Sequence, residues 1–512
     1  MAAKGEVMER SFRLYFTSDI HGCFSPIDYI SGKHADTGLA NCMSHFNHDG
    51  NTVIVDGGDT LQGSPFTSYL YSERPAGECV PARVMNLAGY DLVTLGNHDF
   101  NYGKAEVERY LEELDAKCLC ANVKGVKGVE DIAVITLNNG LRIGFTGITS
   151  DFSMNREKPE NLAGVQLFDA FGAAEASLGK LKALHCDVTV CIYHGGYEND
   201  LSTGKLLSDT GENQGYRICR ELDFDVLLCG HQHMAKEDLS LFGTHTCQVS
   251  DKASHFIELT ATVADDGTVA AHSQLVAAGD LTDPEAEEYL REIEKDVSPW
   301  LDSPLGELDT ALLPGNHLDM AINGSLIANF FNQVQLEASK ADISVTSLAN
   351  TVRGFEKQVT IRDVVSSYVF PNNLITLRVN RAILKSALER SAEYFTMGEN
   401  GKPEISAGFL RPIEQHFSYD YFSGIEVEED ITRNPGDRVV SIRYQGQELG
   451  ESTELLLCMT NYRATGAGGY ECYIGCPVIC EQATEISQLI IDYISTHKSV
   501  IVDKTKWLKV IY

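Results

Sequence analysis

The chain has 512 residues, long enough for two or three domains of the usual ~100–200 residues. Its 73 Asp+Glu against 41 Lys+Arg give a net charge of −32, which argues against a nucleic-acid coat or a protein that lies on an anionic membrane, since both need a basic face. With 43% hydrophobic and 22% charged residues the chain is globular rather than disordered, and an anionic substrate would need local cations or metals to overcome the global field.

Along the chain, the N-terminal stretch MAAKGEVMERSFRLYFTSD lacks the apolar core of a secretory leader and runs straight into the first expected strand. No window reaches the ~18–20 apolar residues of a membrane span. Between residues 11 and 275 short β-branched runs alternate with helical or loop stretches. The runs are RLYFTSD, NTVIVDGGD, YDLVTLGNHD, IAVITL, RIGFTGIT, DVTVCIYHGG and FDVLLCGHQH. Amphipathic segments such as KAEVERYLEELDA and FGAAEASLGKLKALH lie between them. Continuous apolar strands alternating with such helices predict a sheet covered on both faces. HTCQVSDKASHFIELTATV reads as a closing β-meander, and DPEAEEYLREIEKDVSPW as a charged connecting helix. The boundaries expected are 1–278, a linker helix over 279–305, and a second mixed α/β unit over 306–512. In that second unit GSLIANFFNQVQLEASK and RAILKSALERSAEYF predict helices, while NNLITLRV, RVVSIRYQG and TELLLCMTN predict strands. The fourteen cysteines contain no CxxC pair and sit largely in apolar runs, so they read as reduced, small hydrophobes of a cytoplasmic protein. Cys472, Cys476 and Cys480 are evenly spaced, but not at the spacing of known metal ligands.

Five polar clusters follow apolar strands in the first domain: Asp19-Ile20-His21, Asp59, Asn97-His98, His194 and His231-Gln232-His233. Loops beyond the carboxyl ends of strands in an open α/β sheet converge on one crevice, so these residues can meet. The set holds carboxylates, imidazoles and one amide, without a thiolate. That suits Mn, Fe, Co or Zn in an open site rather than a closed structural zinc site. There are too many ligands for one ion, and two ions bridged by a carboxylate would use them all. Asp59, alone between the DxH and NH clusters, is the natural bridge.

The order DxH…GD…GNHD…H…GHxH resembles the calcineurin-like metallophosphoesterases, and the two-domain layout is similar to the 5′-nucleotidase family within them. The resemblance implies an N-terminal four-layer β-sandwich flanked by helices and a C-terminal mixed α/β nucleotide-binding domain. It implies that Asp19, His21, Asp59 and His233 hold one metal, and Asp59, Asn97, His194 and His231 the other. It casts His98 as the group facing the reacting phosphate. Family members usually support this histidine with an Asp three residues on; here Asn101 stands there, in GNHDFNYG. That variant, with GDTLQGSP at 58–65, resembles the branch of 2′,3′-cyclic-nucleotide 2′-phosphodiesterase/3′-nucleotidases.

The resemblance continues through TIRDVVSSYVFPNNLITLRV and TNYRATGAGGY. It implies that Asn373 touches the base and that Tyr470 forms one wall of an aromatic clamp. The other wall falls in HFSYDYFSGI, where Phe417, Tyr419 and Tyr421 alternate on one face if the segment is extended; spacing to Gly424 favours Tyr419, with Phe417 next. Arg353, in SLANTVRG, falls where relatives carry a substrate-facing arginine, without the glycines of that loop. The expected activity is two-metal hydrolysis of a nucleotide phosphoester. The enzymatic alternative is a 5′-nucleotidase or UDP-sugar hydrolase; the alternative of another class is a non-catalytic nucleotide-binding protein. The expected partner is a small nucleotide, not a nucleic-acid polymer or a membrane.

Overall fold

The structure, a computed structural model, describes residues 10–512 apart from 30, 152–156, 158, 208–210, 371 and 412–413. The chain forms two compact units, Met1–Ser298 and Pro299–Tyr512.

The first unit is built on two large sheets. One has seven strands, in the order Val269–Ala277, His255–Val263, Arg10–Thr17, Thr52–Asp56, Leu92–Val93, Lys117–Leu119, Val129–Glu130. The other has six: Lys236–Leu241, Thr244–Gln248, Val226–Cys229, Val188–His194, Arg142–Thr149, Ile132–Thr136. Alternation along Arg10–Thr17 sends Phe12, Leu14 and Phe16 inward, where they meet Val53 and Val55 of their own sheet and Phe145, Val190, Ile192 and Leu228 of the other. Tyr15 points the opposite way and stacks on Phe46 at 5.0 Å. Val188–His194 is buried at all seven residues, as a strand covered on both faces must be. Helix Ala170–Ala183, capped by Asp169, packs Ala174, Leu178 and Leu181 with Cys191 and Tyr193 on the outer face.

One segment differs from the expectation, and a second carries a feature beyond it. The supposed meander does not stay in one sheet: Thr244–Gln248 pairs parallel with Val226–Cys229, while His255–Val263 pairs antiparallel with Arg10–Thr17. The chain crosses between the sheets through a turn holding Lys252 and Ala253 at positive φ (57° and 46°). The charged helix, Pro284–Leu301, carries a buried apolar stripe of Ala286, Leu290, Ile293, Val297 and Leu301. Tyr29 Oη donates to Glu294 (2.6 Å) and Tyr289 Oη to Glu78 (3.0 Å), so the helix packs against the first unit.

In the second unit a five-stranded sheet runs Asp420–Ser423, Ile343–Ser347, Glu454–Thr460, Asn373–Asn380, Val478–Glu485. Alternation buries both its faces. Leu374 and Cys458 pack with Phe330, Phe331 and Val334 of helix Leu326–Ser339 and with Ile490 and Ile494 of helix Ile486–His497. Ile375, Leu377, Leu457 and Met459 pack with Leu384 and Leu388 of helix Arg381–Ala392. Among the described residues no helix is long and apolar enough to cross a membrane.

Candidate metal centre

Arg10–Thr17, Thr52–Asp56 and Leu92–Val93 are mutually parallel, as are Val188–His194 and Val226–Cys229 in the other sheet. Their carboxyl ends carry all five clusters. The backbone there is unusual: Asp19, His21, Asp59, His231 and His233 have φ of 55°, 50°, 56°, 72° and 56°. A non-glycine residue in the left-handed region costs roughly 1–3 kcal/mol and persists only where its surroundings enforce it. Asp19 N donates to Gly58 O and His21 N to Asp59 O, both at 2.8 Å, so each strained residue holds the next loop. The loops also approach too closely for side chains: a Cβ on Gly96 would stand 2.1 Å from Asp59 Oδ1, and one on Gly230 would stand 2.2 Å from Ser18 Oγ.

The side chains gather into two groups, Asp19–His21–His233 and Asp59–His194–His231, each with its ligand atoms within 4.8 Å of one another. Asp59 Oδ2 faces both: it lies 4.0 Å from His21 Nε2 and 3.1 Å from His194 Nε2. The tautomers are set from behind. His21 Nδ1 donates to Gln62 O and His194 Nδ1 to Gly57 O, each at 2.8 Å, which turns both Nε2 lone pairs into the site. His21 Nε2 and His233 Nε2 face each other at 3.1 Å. Asn97 Oδ1 and His194 Nε2 are buried without a hydrogen-bond partner, although Asp59 Oδ2 lies 3.1 Å from the latter. Buried acceptors aimed at one another without donors fit divalent cations, and the oxygen and imidazole donors suit Mn, Zn, Fe or Co.

Burial opposes charge on the carboxylates here, yet the histidines outweigh it. With protons on the imidazoles in place of a cation, the hydrogen bond from His233 and the charges of His194 and His233 hold Asp19 down to about 2. Asp59 is held well below the usual carboxylate range by His194 and His98. Burial likewise disfavours the charged form of His194, but Asp59 raises that imidazole to about 10.

His98 stands beside this cluster, its ring 5.5 Å from that of His21 and its backbone N–H donating to Asp59 Oδ1 at 2.7 Å. Its Nδ1 donates to Asn101 Oδ1 at 2.8 Å. The structure thus brings together Asp19, His21, Asp59, His98, Asn101, His194, His231 and His233, with Asn97 next to His98 in the chain.

The clamp residues in the second unit are arranged otherwise. Tyr470 is completely buried: its Oη donates to Ser418 O (3.1 Å) and pairs with Ser391 Oγ (2.8 Å). Tyr419 is buried as well, donating to Ala321 O at 3.2 Å. Both rings are buried in the second unit, Tyr470 packed with Tyr473 and Tyr419 with Tyr394 and Phe395, and not set on an open face. The reason is local: His416–Ser418 forms a 3-10 turn and the strand begins only at Asp420, so residues 417, 419 and 421 do not share an extended face. Phe417 is half-buried and edge-on to Phe370 at 6.5 Å. Asn373 is half-buried, with its Oδ1 buried and unpartnered. Arg353 is exposed.

Several residues of the site escaped the motif analysis. Asp99 accepts from four backbone N–H groups, those of Asp59, Thr60, Leu61 and Gly96 at 2.8–2.9 Å. Asp56 accepts from Thr17 and Thr60 hydroxyls and Gly58 N. Both adjoin the motifs, so their acidic character was visible though their role was not. Glu212 meets His231 Nε2 at 3.0 Å, and Glu157 accepts from Asn101 Nδ2; neither lies in a recognisable pattern.

Comparison with known proteins places these features in a family. Residues 12–235 match the calcineurin-like phosphoesterase domain and residues 305–474 the 5′-nucleotidase C-terminal domain. A Staphylococcus aureus structure carrying a provisional 5′-nucleotidase name is 30% identical, with a TM-score of 0.76 over 98% of this chain and 100% of its own. The 2′,3′-cyclic-nucleotide 2′-phosphodiesterase/3′-nucleotidase of Haemophilus influenzae is 23% identical over 91% of this chain and 81% of its own. The trifunctional nucleotide phosphoesterase YfkN of Bacillus subtilis is 24% identical over 94% of this chain, which spans only 38% of that protein.

Proposed function

That this chain belongs to the calcineurin-like phosphoesterases carrying a 5′-nucleotidase C-terminal domain is the premise from which we propose its reaction. It hydrolyses nucleotide phosphoesters, opening 2′,3′-cyclic nucleotides and removing the phosphate of 3′-nucleotides to leave nucleosides, a step in nucleotide breakdown. One observation carries the two-metal part of the reading: Asp59 Oδ2 faces both three-residue clusters. The choice of substrate rests on Asn101, on GDTLQGSP, and on the relatives named for the cyclic and 3′ activities.

Asp19, His21, His233 and Asp59 would hold one ion, and Asp59, Asn97, His194 and His231 the other. When bound, such a pair lowers the pKa of a water and neutralises phosphate charge, supplying locally the positive potential that a chain of net charge −32 lacks. The backbone carbonyls of Gln62 and Gly57 hold His21 and His194 with Nε2 turned inward. Asn101 accepts from His98 Nδ1–H, so Nε2 is the nitrogen that faces the reacting phosphate; with Nε2 protonated as well, the imidazolium gives that second proton to the leaving ribose oxygen and is left neutral with its proton on Nδ1. In the second unit Asn373, with its unpartnered Oδ1, and Phe417 are the proposed contacts to the base. The fourteen free cysteines support a reducing, cytoplasmic setting, and the acidic surface favours a small nucleotide over a nucleic-acid polymer.

The Staphylococcus aureus neighbour favours a second reading, a 5′-nucleotidase. Phosphate release with added Mn²⁺ from 2′,3′-cyclic AMP, 3′-AMP, 5′-AMP and UDP-glucose separates the two, with a second phosphatase capturing opened intermediates and His98→Ala as the blank. The proposal expects turnover dominated by 2′,3′-cyclic AMP and 3′-AMP. Preference for 5′-AMP would transfer the assignment to the second reading, and silence on all four with metals bound would leave a non-catalytic nucleotide-binding protein.

A further inference from the structure

Behind His98 lies a hydrogen-bonded chain that the motif does not contain. His98 Nδ1 donates to Asn101 Oδ1 at 2.8 Å, and Asn101 Nδ2 donates to Glu157 Oε2. The other carboxylate oxygen, Glu157 Oε1, accepts from Asn161 Nδ2 at 2.9 Å, and the same Asn161 nitrogen reaches Asn101 O at 3.0 Å. Glu157 is 7% exposed, so its carboxylate is oriented by these amides in a site largely closed to water.

An asparagine beside a histidine is ambiguous in a way that an aspartate is not. Its amide presents either oxygen or NH₂, and the choice dictates which imidazole nitrogen bears the proton. A carboxylate accepts only, so Glu157 demands the NH₂ of Asn101 and thereby turns Oδ1 toward His98. We propose that Glu157 is a positioning residue of the hydrolytic site: it locks the Asn101 amide so that His98 carries its proton on Nδ1 and offers Nε2 to the phosphate. The acid that other members place directly beside this histidine would stand here one hydrogen bond further out. The inference rests on the phosphoesterase reading above.

The chemistry predicts a reciprocal exchange. In Glu157→Gln, the amide keeps its oxygen for Asn161, whose second bond to Asn101 O fixes it, and turns its NH₂ toward Asn101. Asn101 then flips, its own NH₂ meets His98, and the tautomer is wrong. In Asn101→Asp, two acids face each other with no N–H between them. In the double variant the new amide at position 157 donates to the new carboxylate at position 101. That carboxylate accepts from His98, and the run from position 157 through 101 to His98 again meets donor with acceptor.

The test measures kcat and KM for 2′,3′-cyclic AMP and 3′-AMP in wild type, E157Q, N101D and N101D/E157Q, with thermal melting and bound metal recorded for each. Each single substitution should lower kcat roughly 10–100-fold, the range seen when a partner behind a metal site is lost, with KM and bound metal unchanged; the double should regain most of the loss. A wild-type kcat in E157Q, or a double no faster than N101D, would overturn the proposal while leaving the phosphoesterase reading intact. If E157Q melts below the assay temperature, the comparison of N101D with the double still decides. A wild-type protein inactive with metal bound would overturn both.

Discussion

At the residue scale the site is defined by groups held against their preferences. Five ligand-type residues sit in left-handed backbone, and acceptors point at acceptors. Asp99 shows what holds them. Its two oxygens each accept from two backbone N–H groups and so tie the Asp59 loop to the loop of Asn97 and His98. Asp99→Asn would set an NH₂ against two of those donors. Hydrogen bonds to charged groups contribute ~1.5–3 kcal/mol each, so the substitution should destabilise the protein by about 2–4 kcal/mol and weaken metal binding. Chemical denaturation together with a metal titration checks this; unchanged stability and affinity would mean that the loops are held elsewhere. The candidate ligands were legible because few residue types bind metals and each stood directly after an apolar run. Asp99 was visible but ambiguous, one more acid in a polar turn. Glu157 was not legible, since it meets Asn101 only through a contact across 56 residues.

At the element scale, pattern and packing part company in one place and agree in another. The alternation of Phe417, Tyr419 and Tyr421 suggested one extended face, but a 3-10 turn at His416–Ser418 breaks the phase, and tertiary contacts draw Tyr419 and Tyr470 into the core. A two-residue period is readable in sequence; where a strand starts depends on its neighbours in the sheet. The helix Pro284–Leu301 shows the other side of this. It was read as a charged connecting helix, and within it Ala286, Leu290, Ile293 and Val297 recur at helical spacing and are buried. Leu290→Ala should therefore cost about 2–5 kcal/mol in denaturant unfolding, the range for a core leucine. A loss below about 0.5 kcal/mol, ordinary for surface substitutions, would return the helix to the status of a connector.

At the scale of the whole molecule, a strongly acidic chain is proposed to act on anions. The two are compatible because charge acts locally in a crevice: buried carboxylates facing imidazoles would concentrate divalent cations where the proposed substrate's phosphate would go. The alternation of apolar runs with amphipathic helices predicted a sheet covered on both faces and a mixed second unit, and the family resemblance implied the sandwich. The crossing of the chain between sheets at residues 249–254 was not legible, because a strand's pattern does not tell which sheet receives it.

The account stands on two ions sharing Asp59. The measurement that bears on it most directly strips the protein with a chelator, returns Mn²⁺ stepwise, and follows bound metal per chain together with phosphate release from 2′,3′-cyclic AMP. Activity should vanish on stripping and return only as the second ion binds, while Asp59→Asn should lose capacity for metal and turnover together. Full turnover with one ion per chain, or turnover indifferent to the chelator, would contradict it.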